Sequence, residues 1–194
     1  PLASHRTARL VADAIETAVP LRRCTGSPSA ARRTGPCAPA QLGVASCPCA
    51  GDIDEAAYAQ HVATVRRGLL HDPTVLLAPL EARMTALAAG ERFEEAADVR
   101  DRAAALSAAI RRQRRFDALR GAGRVELEVD GTSGIELDHG RLARAWRITR
   151  AGVSAVPLPL DLDPVAPDGR RPSPAAGDPV PAALADELQC IGAW

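Results

Sequence analysis

The stretch that decides the fold runs from Arg92 to Leu119, RFEEAADVRDRAAALSAAIRRQRRFDAL. Within it Ala96, Val99, Ala103, Leu106 and Ile110 recur at alternating steps of three and four residues. That spacing lays apolar side chains along one stripe of an α-helix. Just upstream, Leu76, Leu80, Met84 and Leu87 follow one another at steps of four, four and three, so a second helix precedes the first. Asp72 before Pro73 supplies an N-cap followed by proline at the first helical position. Gly90 supplies the C′ residue that ends this helix. The pair predicts an antiparallel helical hairpin over about residues 76–119. Its alanine-rich seam buries little area on its own, so the hairpin needs a partner, either earlier helices of the same chain or another chain.

Working outward, the periodicity predicts a helix over 5–18, with Leu10, Val11, Ala14, Ile15 and Ala18 on one face and Pro20 as its stop. Asp54 caps a further helix over 55–70, with Tyr58, Val62, Val65 and Leu69 at helical intervals. Residues 53–120 thus form a helical region. Residues 21–52 hold cysteine, glycine, proline and arginine without a period and read as an irregular, cysteine-rich segment. Past Gly121 the period changes. Val125, Leu127 and Val129 alternate with charged residues, and Ile135, Leu137, Leu142, Ala143 and Ala145 flank Asp138-His139-Gly140-Arg141. This predicts a short β region over 121–156, two or three strands with a turn at His139-Gly140. Residues 157–194 read as a proline-rich tail, with eight of the sixteen prolines between 157 and 181 and a short helix near 182–190. The expected fold is mainly α: a cysteine-rich loop segment, a helical hairpin, a small β-hairpin region and the tail.

Composition agrees with that expectation. The 194 residues suffice for one ordinary domain or two small ones. Hydrophobic residues reach 46 % but aromatics only 3 %, so the core is built from Ala, Leu and Val, which suits packed helices better than a sandwich or barrel. All 24 basic residues are arginine, and 24 acids balance them, which excludes a generally basic nucleic-acid coat. Residues 1–50 nevertheless carry six arginines against two acids. Arg22, Arg23, Arg32 and Arg33 in that block are the expected DNA-phosphate contacts. A second basic stretch, Arg111, Arg112, Arg114, Arg115 and Arg120, reads equally as a solvated helix end complementing the helix dipole. No apolar run approaches the roughly 18 residues of a membrane span, and no secretory signal opens the chain. A cytoplasmic protein without a membrane partner is the expectation. The chain begins at Pro1 and its one methionine is Met84, so it reads as a fragment, a processed chain or a wrongly assigned reading frame.

Cys24, Cys37, Cys47 and Cys49 crowd into one segment while Cys190 stands apart. Without a secretory signal, disulfides are not the default reading. Four thiols in a segment with little core of its own suggest an organising metal, and thiolates suit zinc or an iron–sulfur cluster. The gaps of twelve, nine and one residues differ from the paired C-x₂₋₄-C knuckles of ordinary zinc modules. His5 is a conceivable substitute ligand.

The order Pro20-Leu21-Arg22-Arg23-Cys24, Pro36-Cys37, Gly43, Pro48-Cys49 resembles the cysteine-rich segment of UvrC, the incision subunit of bacterial nucleotide excision repair. Downstream, Leu80 to Leu106 resembles the UVR motif, most densely at Glu91-Arg92-Phe93-Glu94-Glu95-Ala96-Ala97 and Arg100-Asp101. The two segments stand in UvrC order, over roughly residues 1–120, and the combination is also similar to UvrC-like proteins in which an exonuclease precedes a GIY-YIG nuclease. The resemblance implies that residues 1–20 are the tail of the GIY-YIG domain, whose catalytic residues lie upstream of Pro1. It implies a [4Fe–4S] cluster on Cys24, Cys37, Cys47 and Cys49, although Ala45 stands where the family has its third cysteine and Cys47 follows two residues later. The strands around Val125 to Ile148 resemble the opening of the RNase H-like half of UvrC, whose active site these residues are too few to contain. Finally, the resemblance implies that the hairpin docks on UvrB through Phe93, Glu94, Ala96, Ala97, Arg100 and Asp101, without incision chemistry in these residues.

Two other classes remain to be weighed. UVR-like motifs also stand beside cysteine-rich metal modules in adaptors of Clp-like proteases, but those modules repeat C-x-x-C, which is absent here. An independent hydrolase finds no support: the sequence has no glycine-rich phosphate loop, nucleophile elbow or H-E-x-x-H. Asp161 and Asp163 lie in the proline-rich tail, and Asp138-His139 lies in a turn.

Overall fold

The computed structural model describes residues 2, 4–24, 35–129, 131–156 and 179–192. The chain is mainly helical with one small antiparallel sheet, and divides into two compact units, Leu2–Arg111 and Arg112–Trp194.

The first unit is helical. Helix α1, His5–Ala18, opens on Ser4, whose side chain accepts a hydrogen bond from the Thr7 amide at 3.1 Å. A four-residue helix α2, Ala38–Gln41, and a 3₁₀ turn, Pro48–Ala50, interrupt the expected irregular segment. Helix α3, Glu55–Leu70, is capped as expected by Asp54, which accepts from the Ala57 amide at 2.7 Å. Helix α4 spans Thr74–Ala89. Pro73 just before it already has helical dihedrals (φ −59°, ψ −22°), so proline holds the first helical position and Asp72 the cap. The Asp72 carboxylate accepts from the Thr74 hydroxyl and amide and from Arg67. Those Thr74 bonds first, and then Arg67, hold its carboxyl below the usual range. Helix α5 runs over Phe93–Gly121.

Helix α4 supplies the centre of the core. Its Leu76, Leu80 and Leu87 are buried together with Ala14 and Val19 from α1 and its end, and with Ala96, Val99, Leu106 and Ile110 of α5. Val65 and Leu69 of α3, Met84 and Ala103 pack against this cluster. The seam read from the sequence is therefore the seam of this core, and its partners are earlier helices of the same chain. Val62, expected on the buried face of α3, is instead 41 % exposed. Gly68 explains how α3 and α4 come so close: a Cβ there would lie 2.3 Å from Leu76 Cγ.

In the second unit, Phe116 near the end of α5 packs on Leu184, Ala185 and Leu188 of α6, Ala182–Ile191. The sheet is a meander of four strands, β1 Arg124–Val129, β2 Ser133–Asp138, β3 Arg141–Thr149 and β4 Gly152–Val156, each antiparallel to the next. The sequence predicted two or three strands; β4 is an addition. His139 (φ 51°) and Gly140 (φ 80°) both adopt the left-handed conformation that a tight two-residue hairpin demands. On one face Arg144 pairs with Glu126 and Glu136 at 3.3 and 3.4 Å and lies over the Trp146 ring. The proline-rich stretch lies outside the described residues over 157–178.

Candidate docking site and cysteine-rich segment

The joint between α4 and α5 is built by backbone geometry. The Glu91 amide donates to the Ala88 carbonyl at 3.0 Å and the Arg92 amide to the Leu87 carbonyl at 2.9 Å, the bond pair of a Schellman ending. The left-handed residue in it is Glu91 (φ 58°), while Gly90 keeps φ −88°. The sequence placed C′ at Gly90; the structure moves it one residue on. The helical hydrogen bonding continues through the Gly90 amide, which donates to the Ala86 carbonyl at 3.1 Å, so the reversal falls to a residue with a side chain.

This joint sets the rotation of α5 and sorts the expected docking residues. Ala96 turns inward, 7 % exposed, into the core beside Val99. Ala97 is half-buried, while Phe93, Glu94, Arg100 and Asp101 are exposed. Phe93 keeps 66 % of its surface in contact with solvent at the first residue of the helix. Glu94 and Glu95 in the same turn complement the positive end of the helix dipole. Arg92 forms a two-pronged pair with Glu95, which holds its guanidinium protonated, and Arg100 pairs with Asp101 at 2.8 Å. The outer surface of the hairpin thus offers one bare aromatic ring within a rim of both charge signs. Aromatic anchors ringed by polar groups are the usual centre of a protein interface.

The cysteine-rich segment is fastened to α1 and α3. The Ser46 hydroxyl donates to the Pro20 carbonyl at 2.6 Å and lies 3.4 Å from His61 Nδ1. The Cys47 amide donates to both Asp52 carboxylate oxygens, at 3.0 and 3.2 Å. The four thiols are near neighbours in series, Cys24 beside Cys49, Cys49 near Cys47 and Cys47 beside Cys37. Cys47 is 2 % exposed, and the Cys37 amide first, then the Ala50 amide and the Cys37 thiol, stabilise its thiolate and lower its pKa. Cys49 pairs with Cys24, and burial first, then that thiol, raises its pKa. Among the described residues no three His, Cys, Asp or Glu side chains are grouped as a metal ion requires. Ala45, at the expected third-cysteine position, is buried, and His5 is exposed on the first turn of α1.

Of the expected phosphate contacts, Arg22 is half-buried and its Nε donates to the Cys24 carbonyl at 3.0 Å. Arg23 pairs with Glu16 at 3.1 Å. Arg32 and Arg33 lie outside the described residues. Two arginines the sequence did not single out, Arg83 and Arg102, share a groove with Arg23. Their separation along the chain hides that convergence, and no spacing signal announces it. Among the described residues, no helix is long and apolar enough to cross a membrane.

Residues 1–68 match the family model of the UvrC/Cho excinuclease middle domain, and residues 74–109 match that of the UvrB/uvrC motif. Among curated proteins, the chain is 37 % identical over 112 residues to the UvrABC system protein C of Natronomonas pharaonis, covering 58 % of this chain and 19 % of that protein. The corresponding protein of Haloarcula marismortui is 33 % identical over 108 residues, covering 56 % of this chain and 18 % of that protein. A putative bifunctional exonuclease/endonuclease of Mycobacterium tuberculosis is 33 % identical over 193 residues, covering 93 % of this chain and 29 % of that protein. The chain therefore spans less than a third of the length of these relatives. No solved structure matches.

Proposed function

This chain belongs to the UvrC-like family, and we propose that within nucleotide excision repair it is a docking and DNA-proximal element whose α4–α5 hairpin binds UvrB. The observation that carries this reading is Phe93. Its ring stands 66 % exposed on a segment whose other large apolar residues face inward, and that segment matches the UvrB/uvrC motif. A helix that has already buried Ala96, Val99, Leu106 and Ile110 within its own unit has no structural use for an aromatic ring in water. A partner groove supplies one. In this reading Phe93 is the anchor, Glu94, Arg100 and Asp101 form the charged rim, and Ala97 permits close approach of the partner helix. Ala96 supports the hairpin from inside and does not touch the partner. The reading assigns no bond-breaking role to any described residue.

Immobilised UvrB titrated with the wild-type chain and with Phe93→Ala tests it. Loss of a central aromatic anchor should weaken binding by about 30-fold or more, and an exposed ring should leave the unfolding midpoint almost unchanged. Ala97→Arg, which adds bulk on the same face, should weaken binding as well. Wild-type affinity in Phe93→Ala would remove the hairpin from the interface.

A further inference from the structure

In the helical unit, Glu16, Arg23, the Gly43–Val44 turn, Arg83 of α4 and Arg102 of α5 line a concave groove of about 380 Å³. Four described arginines of this unit outside the groove are neutralised locally, Arg9 by Asp13, Arg67 by Asp72, Arg92 by Glu95 and Arg100 by Asp101. In the groove Glu16 answers only Arg23, at 3.1 Å. Arg83 and Arg102 make no hydrogen bond or ion pair with any described residue. Asp98 and Glu95 lie with them along an adjoining small cleft; Glu95 is already held by Arg92 and Asp98 pairs with neither arginine, so the three groove arginines have Glu16 and Asp98 as their nearby uncommitted acids.

Two guanidinium groups that find no partner among the described residues share one concavity, an arrangement whose mutual repulsion an anion between them would relieve. The planar fork of each guanidinium matches two oxygens of a phosphate. A lone oxyanion fills only a fraction of the volume, which leaves room for the sugar that follows a phosphate in a strand. Gly43, at φ 68° with open space where a Cβ would stand, leaves the backbone beside the groove bare. We propose that this groove holds backbone phosphates of a nucleic-acid strand, with Arg83 and Arg102 as the principal contacts and Arg23 as the third. This rests on the DNA-proximal reading above and gives it a location.

The test is fluorescence anisotropy of a labelled single-stranded oligonucleotide across a salt series. It compares the wild-type chain, Arg83→Gln/Arg102→Gln, Arg83→Lys/Arg102→Lys and, separately, Arg22→Gln. The glutamine pair should lose affinity about tenfold or more at low salt. It should also flatten the log–log salt slope by about 1.4, since each single-strand phosphate contact contributes about 0.7. The lysine pair keeps the charge and loses the fork, so its slope should stay near wild type while affinity falls part of the way. Matching circular-dichroism melts show that these exposed and half-buried substitutions leave the fold intact. Inorganic phosphate is added as competitor: failure to displace the strand at millimolar concentration supports a strand site, and complete displacement overturns it in favour of a free anion. Unchanged affinity and slope in the glutamine pair, with weakened binding in Arg22→Gln, overturns the groove and leaves the DNA-proximal reading standing. A wild-type chain that binds no oligonucleotide overturns both.

Discussion

In the helical unit, Leu76, Leu80 and Leu106 lose all contact with solvent, whereas the sheet of the second unit leaves Leu127, Ile148, Val153 and Val156 between 39 % and 72 % exposed. The two regions use the same kinds of apolar residue and differ in how many elements share them. Side chains from α1, α3, α4 and α5 meet in one cluster, so each leucine of α4 is enclosed from several sides. The sheet is a single layer whose strands pair only in sequence order, and Leu137 is its one large apolar side chain buried among the described residues. The contrast also follows the family matches. Both family models end by residue 109, close to the unit boundary at Arg111. What the family models describe is thus one physically closed unit, and the match to the mycobacterial exonuclease/endonuclease, over 93 % of the chain, extends past it.

The sharpest way to break this contrast is to truncate one residue from each region. Leu80→Ala should cost about 2–5 kcal/mol, because it removes a fully enclosed side chain and leaves a cavity. Val153→Ser should change stability by less than about 0.5 kcal/mol, since Val153 is 72 % exposed. Denaturant titration followed by far-ultraviolet circular dichroism measures both. A Val153→Ser loss as large as that of Leu80→Ala would mean that the sheet is covered in solution, and the two regions would no longer differ.

A second pair sharpens the comparison by asking whether close approach matters equally in both units. Gly68 admits Leu76 and Gly134 admits the Trp146 ring, and in each case a Cβ would lie 2.3 Å from the neighbour. Gly68→Ala and Gly134→Ala should each cost about 1–3 kcal/mol by overpacking. Leu76 is enclosed and cannot swing away, whereas Trp146 is only half-buried. The sheet variant should therefore lie at the lower end of that range, with a red shift in tryptophan emission as the ring moves into water. Equal costs would show that cross-strand packing of Trp146 is as confined as the helical core.

How much of this was legible in the sequence follows the same division. The seam Ala96, Val99, Ala103, Leu106, Ile110 and its α4 counterpart were readable because helix periodicity and burial coincide when one stripe faces one core. Asp54 and Asp72 were readable as caps because capping is local. Strand β4, Gly152-Val153-Ser154-Ala155-Val156, was not, since a short exposed edge strand carries no alternation between buried and solvated faces. The exposure of Phe93 was equally hidden: which way the first residue of a helix points depends on the joint before it. The groove of Arg23, Arg83 and Arg102 joins parts of the chain that no spacing rule connects. The sequence places four cysteines in one segment, but which thiols become neighbours, Cys24 with Cys49 and Cys37 with Cys47, depends on how the segment folds back.

Gains of stability, smaller than the losses above, are expected at the joint itself, where sequence and structure make opposite predictions for two neighbouring residues. Were Gly90 the left-handed C′ residue, Gly90→Ala would be costly and Glu91→Gly would be at best neutral. With Gly90 at φ −88° and Glu91 at φ 58°, the order reverses. A Cβ at Gly90 would meet only the Ala86 and Leu87 carbonyl oxygens at 3.6 Å, an ordinary contact. Gly90→Ala should therefore stabilise the chain by about 0.4–1 kcal/mol by restricting the unfolded state. Glu91→Gly removes a left-handed strain of about 1–2 kcal/mol and adds the unfolded-state freedom of glycine, about 0.5–1 kcal/mol, for a net gain of about 0.5–1 kcal/mol. His139, at φ 51° in the sheet unit, provides the matching test, and His139→Gly should raise stability by a similar amount. If Glu91→Gly stabilises the chain but weakens UvrB binding, the strained joint is what aims Phe93 at its partner. If both properties rise together, the joint is only a turn and the ring alone carries the interface.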